Sequence, residues 1–582
     1  MIWIRDLIDE MTPTFSKAMK SLEVDDSVWI PLIGRATVED HGDVALPCHS
    51  LASRLRKSPQ DIAEQICTLV KEDLDPIANV SSISGFVNVS AKPDWLSNSL
   101  STLLSDHRLG IELEKPLTFA IDYSAPNVAK EMHVGHLRST VIGDSIVRML
   151  EFKGHRAIRE NHVGDWGTPF GMLIEHLLDL GEDQAANELG VGDLDSFYKQ
   201  ARAKFVSDDE FAVRSRSRVV LLQGGDSETL RLWGVLVDES MRYFNEVYSM
   251  LGVLLTDEDI RGESSYHDLL PEVVERLKKV GILEESEGAD VVFPGGWVNR
   301  EGDPLPMIIR KADGGYNYST SDLACIIDRV ERIGCDGFLY VVGTPQKQHF
   351  EMVFQVAIQA GFMNENHQAI HVNFGSVLGT DGKVLKSREG EVIKLHDLLD
   401  EAIRRAEDAI NEKNPDLVGE ERKEVARTVG IGAIKYADLS TERTKDYVFD
   451  WERMLSFDGN TAPYLQYAYA RISSIFRKWG GDRNGLSHSE IILTHPEELS
   501  LSRRLSDFPA ILDDSISTFS PHKLCTHLHS IASSFASFYE NCNVLKEENE
   551  EIISSRLAMC DLTARELKLG LGLLGIGVPE RM

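Results

Sequence analysis

Two histidines that flank a glycine, His133 and His136 around Gly135, are well suited by type and spacing to phosphate chemistry. They stand where a predicted strand ends and a predicted helix begins. The start of a helix offers free N–H groups and the positive end of its dipole to an anion. Imidazole N–H groups can donate to phosphate oxygens as negative charge builds up, and Lys130 adds a positive charge nearby. The four letters alone fit a chance pattern of satisfied histidines equally well, so the surrounding elements must decide.

A second candidate for phosphate contact is the loop from Gly379 to Gly390, which carries Lys383, Lys386 and Ser387. Glycines on both sides allow the loop to move, and its two lysines could reach the phosphates of a nucleotide. Such loops suit a reaction whose transition state concentrates charge on a phosphoryl group. Most lysine-bearing loops are solvated surface, and for this loop taken by itself that alternative stays open.

The elements around the histidine pair predict the opening of a βαβ unit. Residues 117–123 are a β-rich run that stops in a turn at 124–127. Apolar residues at near-helical spacing follow from 137 to 150, and Gly154 is the expected end of that helix. A second short strand is predicted near 157–158. The phosphate-binding candidate therefore lies between the first strand and the first helix of an α/β fold.

The rest of the chain divides by its local patterns. Helical segments interrupted at Pro59, followed by a strand at 85–89, predict a first α+β unit. Residues 176–300 are richer in acidic and helical segments, which indicates an insertion into the sheet domain. Alternation resumes at 337–342 and is followed by a helix after Gln346. Beyond about residue 400 the pattern is helical, with a surface loop predicted around Gly480 to Gly485.

Composition narrows the possible functions. The chain has 582 residues, 61 basic and 93 acidic, and its net charge of −32 argues against a general nucleic-acid binder but leaves a specific one open. The seven cysteines are scattered and contain no C-x-x-C pair, so no zinc site or other protein-bound metal is expected. There is no apolar run long enough for a membrane span and no secretory signal, so we expect a cytoplasmic protein without a membrane partner.

Both motifs resemble signatures of the class I aminoacyl-tRNA synthetases. His133–His136 resembles their HIGH motif, and Lys383–Ser387 resembles their KMSKS loop, although K-V-L-K-S lacks the methionine and the first serine. Because of this departure, the resemblance supports a role in phosphate contact more strongly for Lys386 than for Lys383. Four stretches are similar to the arginyl enzymes specifically: 124–140, 161–167, 459–471 and 578–582.

A guanidinium pocket needs a carboxylate with planar, paired hydrogen-bonding geometry and gains from an aromatic wall. Tyr318 and Asp322 supply both types, and a helix that starts near Ser319 would project them to the same side. Taken alone, Asp322 could equally be a helix-start carboxylate and Tyr318 a core aromatic residue. The resemblance implies instead that Tyr318, Asp322 and Gln346 bind the arginine side chain.

The resemblance also implies a two-step ligation of arginine to its tRNA through arginyl-adenylate, with ATP and Mg²⁺. It implies that the loop and the histidine contact the amino-acid end of arginine through Ala125, Pro126, Asn127 and His136. ATP would be bound by Gly135 and Ser387 together with both histidines and Lys386. The residues with implied catalytic roles are His133, His136, Lys130, Lys383 and Lys386.

For tRNA the resemblance implies an anticodon-binding domain in the helical third, with Tyr464, Tyr467 and Met582 as contacts. Aromatic side chains beside basic ones suit unstacked loop bases, whereas Tyr469 should face the core. The implied organisation is a Rossmann-like parallel-sheet catalytic domain with an inserted domain, an α+β N-terminal domain that binds the tRNA body, and an all-α C-terminal domain, in a monomer. The expected bounds are 1–110 for the N-terminal domain, 111–175 and 301–400 for the catalytic halves, 176–300 for the insertion and 401–582 for the anticodon-binding domain.

Three other interpretations compete with this one. A synthetase for glutamate conflicts with the negative charge of Asp322, and one for cysteine conflicts with the absence of a cysteine cluster. A non-catalytic tRNA-binding paralogue is disfavoured because the candidate residues are all present. A Rossmann-type oxidoreductase would need G-x-G-x-x-G after its first strand, and the sequence has none there.

Overall fold

The computed structural model of the chain describes residues 2–38, 41–181, 194–385 and 393–582. The chain divides into two compact units. What we name the terminal unit comprises Met1–Glu112, Phe457–Leu571 and Val578–Met582, and the sheet unit comprises Leu113–Ser456 and Gly572–Gly577. Among the described residues, no helix is both long and apolar enough to cross a membrane.

A four-stranded antiparallel sheet and several helices form the first part of the terminal unit. The strands lie in the order Gly34–Arg35, Val44–Pro47, Phe86–Ala91 and Ala78–Ile83. The helices are Ile2–Ser21, Asp26–Trp29, Ala52–Leu55, Pro59–Leu74 and Pro93–Ser105. The predicted break at Pro59 is confirmed, because Ser58 caps a new helix in which Pro59 is the first residue.

Long helices make up the second part of the terminal unit and confirm the predicted helical third. They are Ala462–Trp479, Pro496–Ser517, Pro521–Asn541 and Glu550–Leu573. At the predicted surface loop, Gly480 ends the first of these helices with a φ of 68°, and Arg483–His488 then forms a 3₁₀ turn. Both parts of the unit meet at Asp507, which accepts hydrogen bonds from Trp3 at 2.8 Å and from Arg35 at 2.7 Å.

A parallel four-stranded sheet is the centre of the sheet unit. Its strands lie in the order Gln368–His371, Gly337–Tyr340, Thr118–Asp122 and Arg156–Glu160. Three of them confirm strands predicted from the sequence. The carboxyl ends of parallel strands meet at one edge, so Asp122, Glu160 and Tyr340 lie side by side in register there.

Helices and a small sheet surround the parallel sheet within its unit. Between the strands Arg156–Glu160 and Gly337–Tyr340 the chain forms the helices Thr168–Leu180, Leu194–Ser207, Asp209–Gln223, Ser227–Leu251, Leu270–Val280 and Tyr318–Ile327. The same segment forms an antiparallel sheet of Glu284–Ser286, Ala289–Val292 and Met307–Arg310. The later helices are Lys347–Gln359, Leu395–Lys413, Gly419–Leu439 and Trp451–Met454, and a short parallel pair is formed by Val377–Leu378 and Tyr447–Val448. An α/β sheet domain with a helical C-terminal part is the fold class predicted from the sequence, and it is confirmed.

Candidate active site

The histidine pair caps the helix Val134–Lys153, which we call the motif helix. Nδ1 of His133 accepts the N–H of Gly135 at 3.0 Å, and Nδ1 of His136 accepts the N–H of His133 at 3.1 Å. The two imidazole centroids are 4.0 Å apart. Because each Nδ1 accepts a hydrogen bond, each neutral ring carries its proton on Nε2, which can donate to a ligand. The helix ends at Gly154 with a φ of 99°, as the sequence predicts.

The expectation of free N–H groups at the start of the motif helix is wrong. The N–H of Val134 donates to the carbonyl of Ile393, that of Gly135 to His133, and that of His136 to the carbonyl of His133. One histidine side chain, acting as serine or aspartate does elsewhere, and two backbone carbonyls therefore satisfy the helix start. What remains for an anion is the pair of Nε2–H donors and the helix dipole.

Both imidazoles are neutral near pH 7. Burial, and then the neighbouring His133, lower the pKa of His136 to about 3. Burial also lowers the pKa of His133, against the opposing effect of Asp195. A neutral imidazole can donate a hydrogen bond to a ligand from its Nε2–H without carrying a net charge that would attract a nearby carboxylate such as Asp195.

Gly135 is required by the capping geometry. A Cβ at this position would lie 2.8 Å from Cε1 of His133 and 2.9 Å from its Nδ1. The imidazole is held by its hydrogen bond to the N–H of the same glycine, so a side chain at Gly135 would push the ring out of its capping position.

The loop before the motif helix has a constrained backbone at the predicted arginine contacts. Ser124 and Ala125 have φ values of 73° and 49°, which non-glycine residues adopt only when the surroundings impose them. The N–H of Ala125 donates to the side chain of Asn161 at 3.1 Å. The carbonyl of Pro126 accepts the N–H of Gly164 at 3.1 Å. The loop is therefore held from several sides.

Asn127 is exposed, and its side chain lies against the chain at Gly164. A Cβ at Gly164 would come within 2.5 Å of Oδ1 of Asn127, so only glycine leaves room there. Lys130 is half-buried, with its ammonium 4.5 Å from the centre of the Tyr198 ring. This cation–π contact fixes a positive charge three residues before His133.

The pair predicted to bind a guanidinium stands on one helix, Tyr318–Ile327. Tyr318 is its first residue and is 60% exposed, so the alternative of a core aromatic residue is wrong. Asp322 is one turn later, and its side chain is 18% exposed. Both contact His349: the Tyr318 ring lies 4.8 Å from the imidazole, and Oδ2 of Asp322 lies 2.6 Å from its Nε2. The two side chains therefore project to the same side, as predicted.

Gln346 ends the 3₁₀ turn Thr344–Gln346, directly before the helix Lys347–Gln359, and it is exposed. His349 stands on that helix, about one turn beyond Gln346. Sequence reasoning missed this histidine, although its spacing of three residues from Gln346 and the helix predicted there could have indicated it.

A buried ion group underlies the carboxyl edge of the sheet. Arg329 is fully buried and lies 2.6 Å from Oε2 of Glu160 and 2.9 Å from Oδ2 of Asp122. Its guanidinium also lies 4.6 Å from the centre of the Tyr340 ring. The group ties three neighbouring strands together below the histidine loop. Sequence reasoning missed it, because nothing local marks Arg329 as buried.

Of the predicted lysine loop, the structure describes the first half. Lys383 is exposed in a turn in which its N–H donates to Asp381 at 3.1 Å and its carbonyl accepts from Gly379. Lys386 and Ser387 lie outside the described residues. Their predicted roles stay predictions.

The predicted anticodon contacts lie in the terminal unit, on the helix Ala462–Trp479. Tyr464 is half-buried, 5.6 Å from the ring of His529. Tyr467 is 39% exposed and lies under the guanidinium of Arg471 at 4.9 Å.

The predicted core position of Tyr469 is confirmed, because it is buried and donates from its hydroxyl to Glu580 at 2.8 Å. Arg477 also donates to the carbonyl of Glu580, so the end of the chain lies beside this helix. Met582, two residues further, is half-buried.

The described residues contain no group of three or more histidine, cysteine, aspartate or glutamate side chains arranged to hold a metal ion. The cysteines are all free, and six of them are buried. The expectation that the chain binds no zinc stays a prediction.

Comparison with known proteins decides the family. Residues 99–451 match the family described as tRNA synthetases class I (R), catalytic domain. Residues 465–582 match the DALR anticodon binding domain, and residues 9–91 match the arginyl tRNA synthetase N terminal domain. The chain belongs to the arginyl-tRNA synthetases. The resemblance noted from the sequence motifs is thereby confirmed.

Similarity to individual arginyl-tRNA synthetases extends over nearly the whole chain. An arginine–tRNA ligase of Thermobifida fusca is 51% identical over 538 residues, which cover 92% of both chains. One of Klebsiella pneumoniae is 46% identical over 92% of both chains. The crystal structure of the arginyl-tRNA synthetase from Plasmodium falciparum is 29% identical, with a TM-score of 0.81 over 100% of this chain and 99% of that one. The Thermus thermophilus enzyme, 24% identical with a TM-score of 0.77, shares the fold.

Proposed function

We propose that this chain is an arginine–tRNA ligase that works in two steps. The arginine carboxylate attacks the α-phosphorus of ATP, giving arginyl-adenylate and pyrophosphate. A terminal ribose hydroxyl of the tRNA then attacks the adenylate carbonyl and releases AMP. The observation that carries the proposal is the pair of neutral imidazoles after the first strand of the sheet, each held by a backbone N–H, in a chain of this family.

The first step needs donors placed where charge develops on the phosphates. The Nε2–H groups of His133 and His136 supply two, and their hydrogen bonds to the backbone fix their directions before ATP arrives. Such preorganised donors cost no rearrangement in the transition state. Because Gly135 has no side chain, the His133 ring can keep its capping position.

Positive charge around the triphosphate comes from Lys130, Lys383 and Lys386, with Ser387 as a further contact. Lys130 is supported by its contact with Tyr198. Mg²⁺ enters with ATP as part of the substrate and neutralises phosphate charge.

The arginine side chain binds between Tyr318 and Asp322, with Gln346 as a further polar contact. The exposed phenol ring offers a face to the planar guanidinium, and the carboxylate offers paired acceptors. The loop of Ala125, Pro126 and Asn127, together with His136, holds the carboxylate end of arginine. No side-chain nucleophile is required, because positioning and charge stabilisation lower the barrier.

The tRNA also makes contact with residues of the terminal unit. We place the anticodon loop at Tyr464, Tyr467 and Met582, supported by the match of residues 465–582 to an anticodon-binding domain. Residues 1–110 contact the body of the tRNA. The five-domain division, a monomeric state and a cytoplasmic location remain predictions.

Arginine-dependent exchange of labelled pyrophosphate into ATP tests the proposal. We expect exchange with arginine, and with no other amino acid in a panel, when the matching tRNA is present. Exchange with a different amino acid would refute the pocket at Tyr318 and Asp322. Tight tRNA binding without any exchange would favour a non-catalytic paralogue.

A further inference from the structure

His349 lies at the centre of the proposed arginine pocket without having been assigned to it. Its Nε2 is 2.6 Å from Oδ2 of Asp322, and its ring is 4.8 Å from that of Tyr318. It also stands about one helical turn beyond Gln346. One side chain therefore contacts two of the three proposed pocket residues, and its helix begins directly after the third.

The imidazole is itself held by the core of the sheet unit. Its ring packs edge-on against Phe350 at 5.3 Å, and Phe350 is buried against Tyr340 on the central sheet at 4.6 Å. A chain of packed rings thus runs from the sheet to the imidazole. The last link in that chain is the hydrogen bond to the Asp322 carboxylate.

A carboxylate turns easily about its last torsion, because that torsion has only a broad preference. Paired binding of a guanidinium requires the carboxylate plane to stay fixed. The Nε2–H of His349 anchors Oδ2 and so restricts this rotation. In a glutamine at this position, the amide nitrogen could take the place of Nε2 of His349 and donate to Asp322. The side chain of asparagine is too short to reach Asp322 in this way.

We infer that His349 is a positioning residue for arginine recognition, which fixes the Asp322 carboxylate so that it meets the guanidinium in a planar, paired arrangement. The inference rests on the proposed function, in which Asp322 binds arginine. The residue acts through Asp322 and has no part in the ATP site. Its loss should therefore weaken binding of arginine and leave that of ATP unchanged.

The test uses the full chain with tRNA and pyrophosphate exchange, with arginine and ATP varied separately. For His349→Asn we expect the KM for arginine to rise about tenfold, the size associated with a hydrogen bond to a charged group. The KM for ATP should stay within about twofold of wild type. His349→Gln, the matched control, should restore most of the affinity for arginine, and thermal unfolding should show that both variants fold.

Two outcomes overturn the inference. One is a His349→Asn enzyme whose KM for arginine is unchanged, and the other is a glutamine variant as impaired as the asparagine variant. If His349→Asn fails to fold, the glutamine variant alone decides, since it must keep a KM for arginine near wild type. Asp322→Asn separates this inference from the proposed function: if that variant leaves the KM for arginine unchanged, the pocket itself is misassigned.

Discussion

Replacing Arg329 by methionine should loosen the carboxyl edge of the parallel sheet. Arg329 is wholly buried between Glu160 and Asp122, which are also buried. Burial disfavours its charge, yet Glu160, Tyr340 and Asp122 raise the pKa of its guanidinium well above the usual value. Methionine fills a similar volume but leaves two carboxylates in a dry site without a counter-charge.

The expected cost follows from that arrangement. Removing one partner of a buried ion group destabilises a protein by about 3–5 kcal/mol, because the remaining charge loses its compensation. Neutralising the partners as well, in Arg329→Met/Asp122→Asn/Glu160→Gln, removes the uncompensated charges and should recover a large part of the loss. The two buried amides must still find hydrogen-bond partners, so the recovery should be incomplete.

Hydrogen exchange read by mass spectrometry is the suitable assay, because a chain with two units does not unfold as one cooperative step. Peptides that cover Thr118–Asp122 and Arg156–Glu160 should exchange more than about 100-fold faster in Arg329→Met. Peptides from Pro521–Asn541 in the terminal unit serve as an internal control and should be unchanged. Equal protection of the strands in wild type and variant would refute the reasoning, as would a triple variant no better than the single one.

Four further predictions concern the histidine cap and the tRNA contacts. Gly135→Ala should lower the rate of pyrophosphate exchange about tenfold, because the new Cβ displaces the His133 ring at a cost of about 1–3 kcal/mol. Steady-state exchange kinetics measure this rate, and a wild-type rate in the variant would contradict the prediction. Burial lowers the pKa of His136 to about 3, so its ring stays neutral as the pH falls from 8 to 5. The titration of His136 should therefore cause no inflection near pH 6.5 in the rate of pyrophosphate exchange. An inflection that is present in wild type and absent in His136→Gln would contradict this. By the same shift, the unfolded chain takes up the proton first, so His136→Gln should reduce the loss of stability on acidification below about pH 6.5. Hydrogen-exchange protection factors of peptides from the motif helix at pH 7.5 and pH 5 measure this loss. Tyr467→Ala should raise the Kd for tRNA about tenfold, since stacking of a base on an aromatic ring contributes about 1–3 kcal/mol, and filter binding that gives an unchanged Kd would remove Tyr467 from the interface.

Local patterns in the sequence were enough to predict the elements that carry the site. The strand Thr118–Asp122, the motif helix and its end at Gly154 follow from apolar spacing and from the conformational freedom of glycine. The shared side of Tyr318 and Asp322 follows from their helical spacing, because residues four apart face the same way.

Contacts between distant segments could not be predicted in this way. Glu160 and Arg329 are far apart in the sequence and meet only when the sheet forms, and the same holds for Asp322 and His349. The expectation of free N–H groups at the motif helix failed for a related reason. The local pattern did not indicate that the His133 side chain and the carbonyls of Ile393 and His133 would satisfy those groups here.

Helix packing was also beyond the reach of local patterns. An amphipathic pattern predicts a helix but not the unit that the helix joins. The helices Leu395–Lys413 and Gly419–Leu439 lie in the sheet unit, whereas the helix Pro521–Asn541 lies in the terminal unit.

The most direct test of the proposed activity is attachment of labelled arginine to tRNA by the purified chain, measured as acid-precipitable label. We expect ATP-dependent charging of the arginine tRNA and no charging with lysine or glutamate. In His136→Ala we expect a loss of at least about 100-fold, which is typical of removing one preorganised donor. Charging at the wild-type rate by His136→Ala would contradict the proposed role of the histidine pair. Failure of the wild-type chain to charge any tRNA with arginine would contradict the account as a whole.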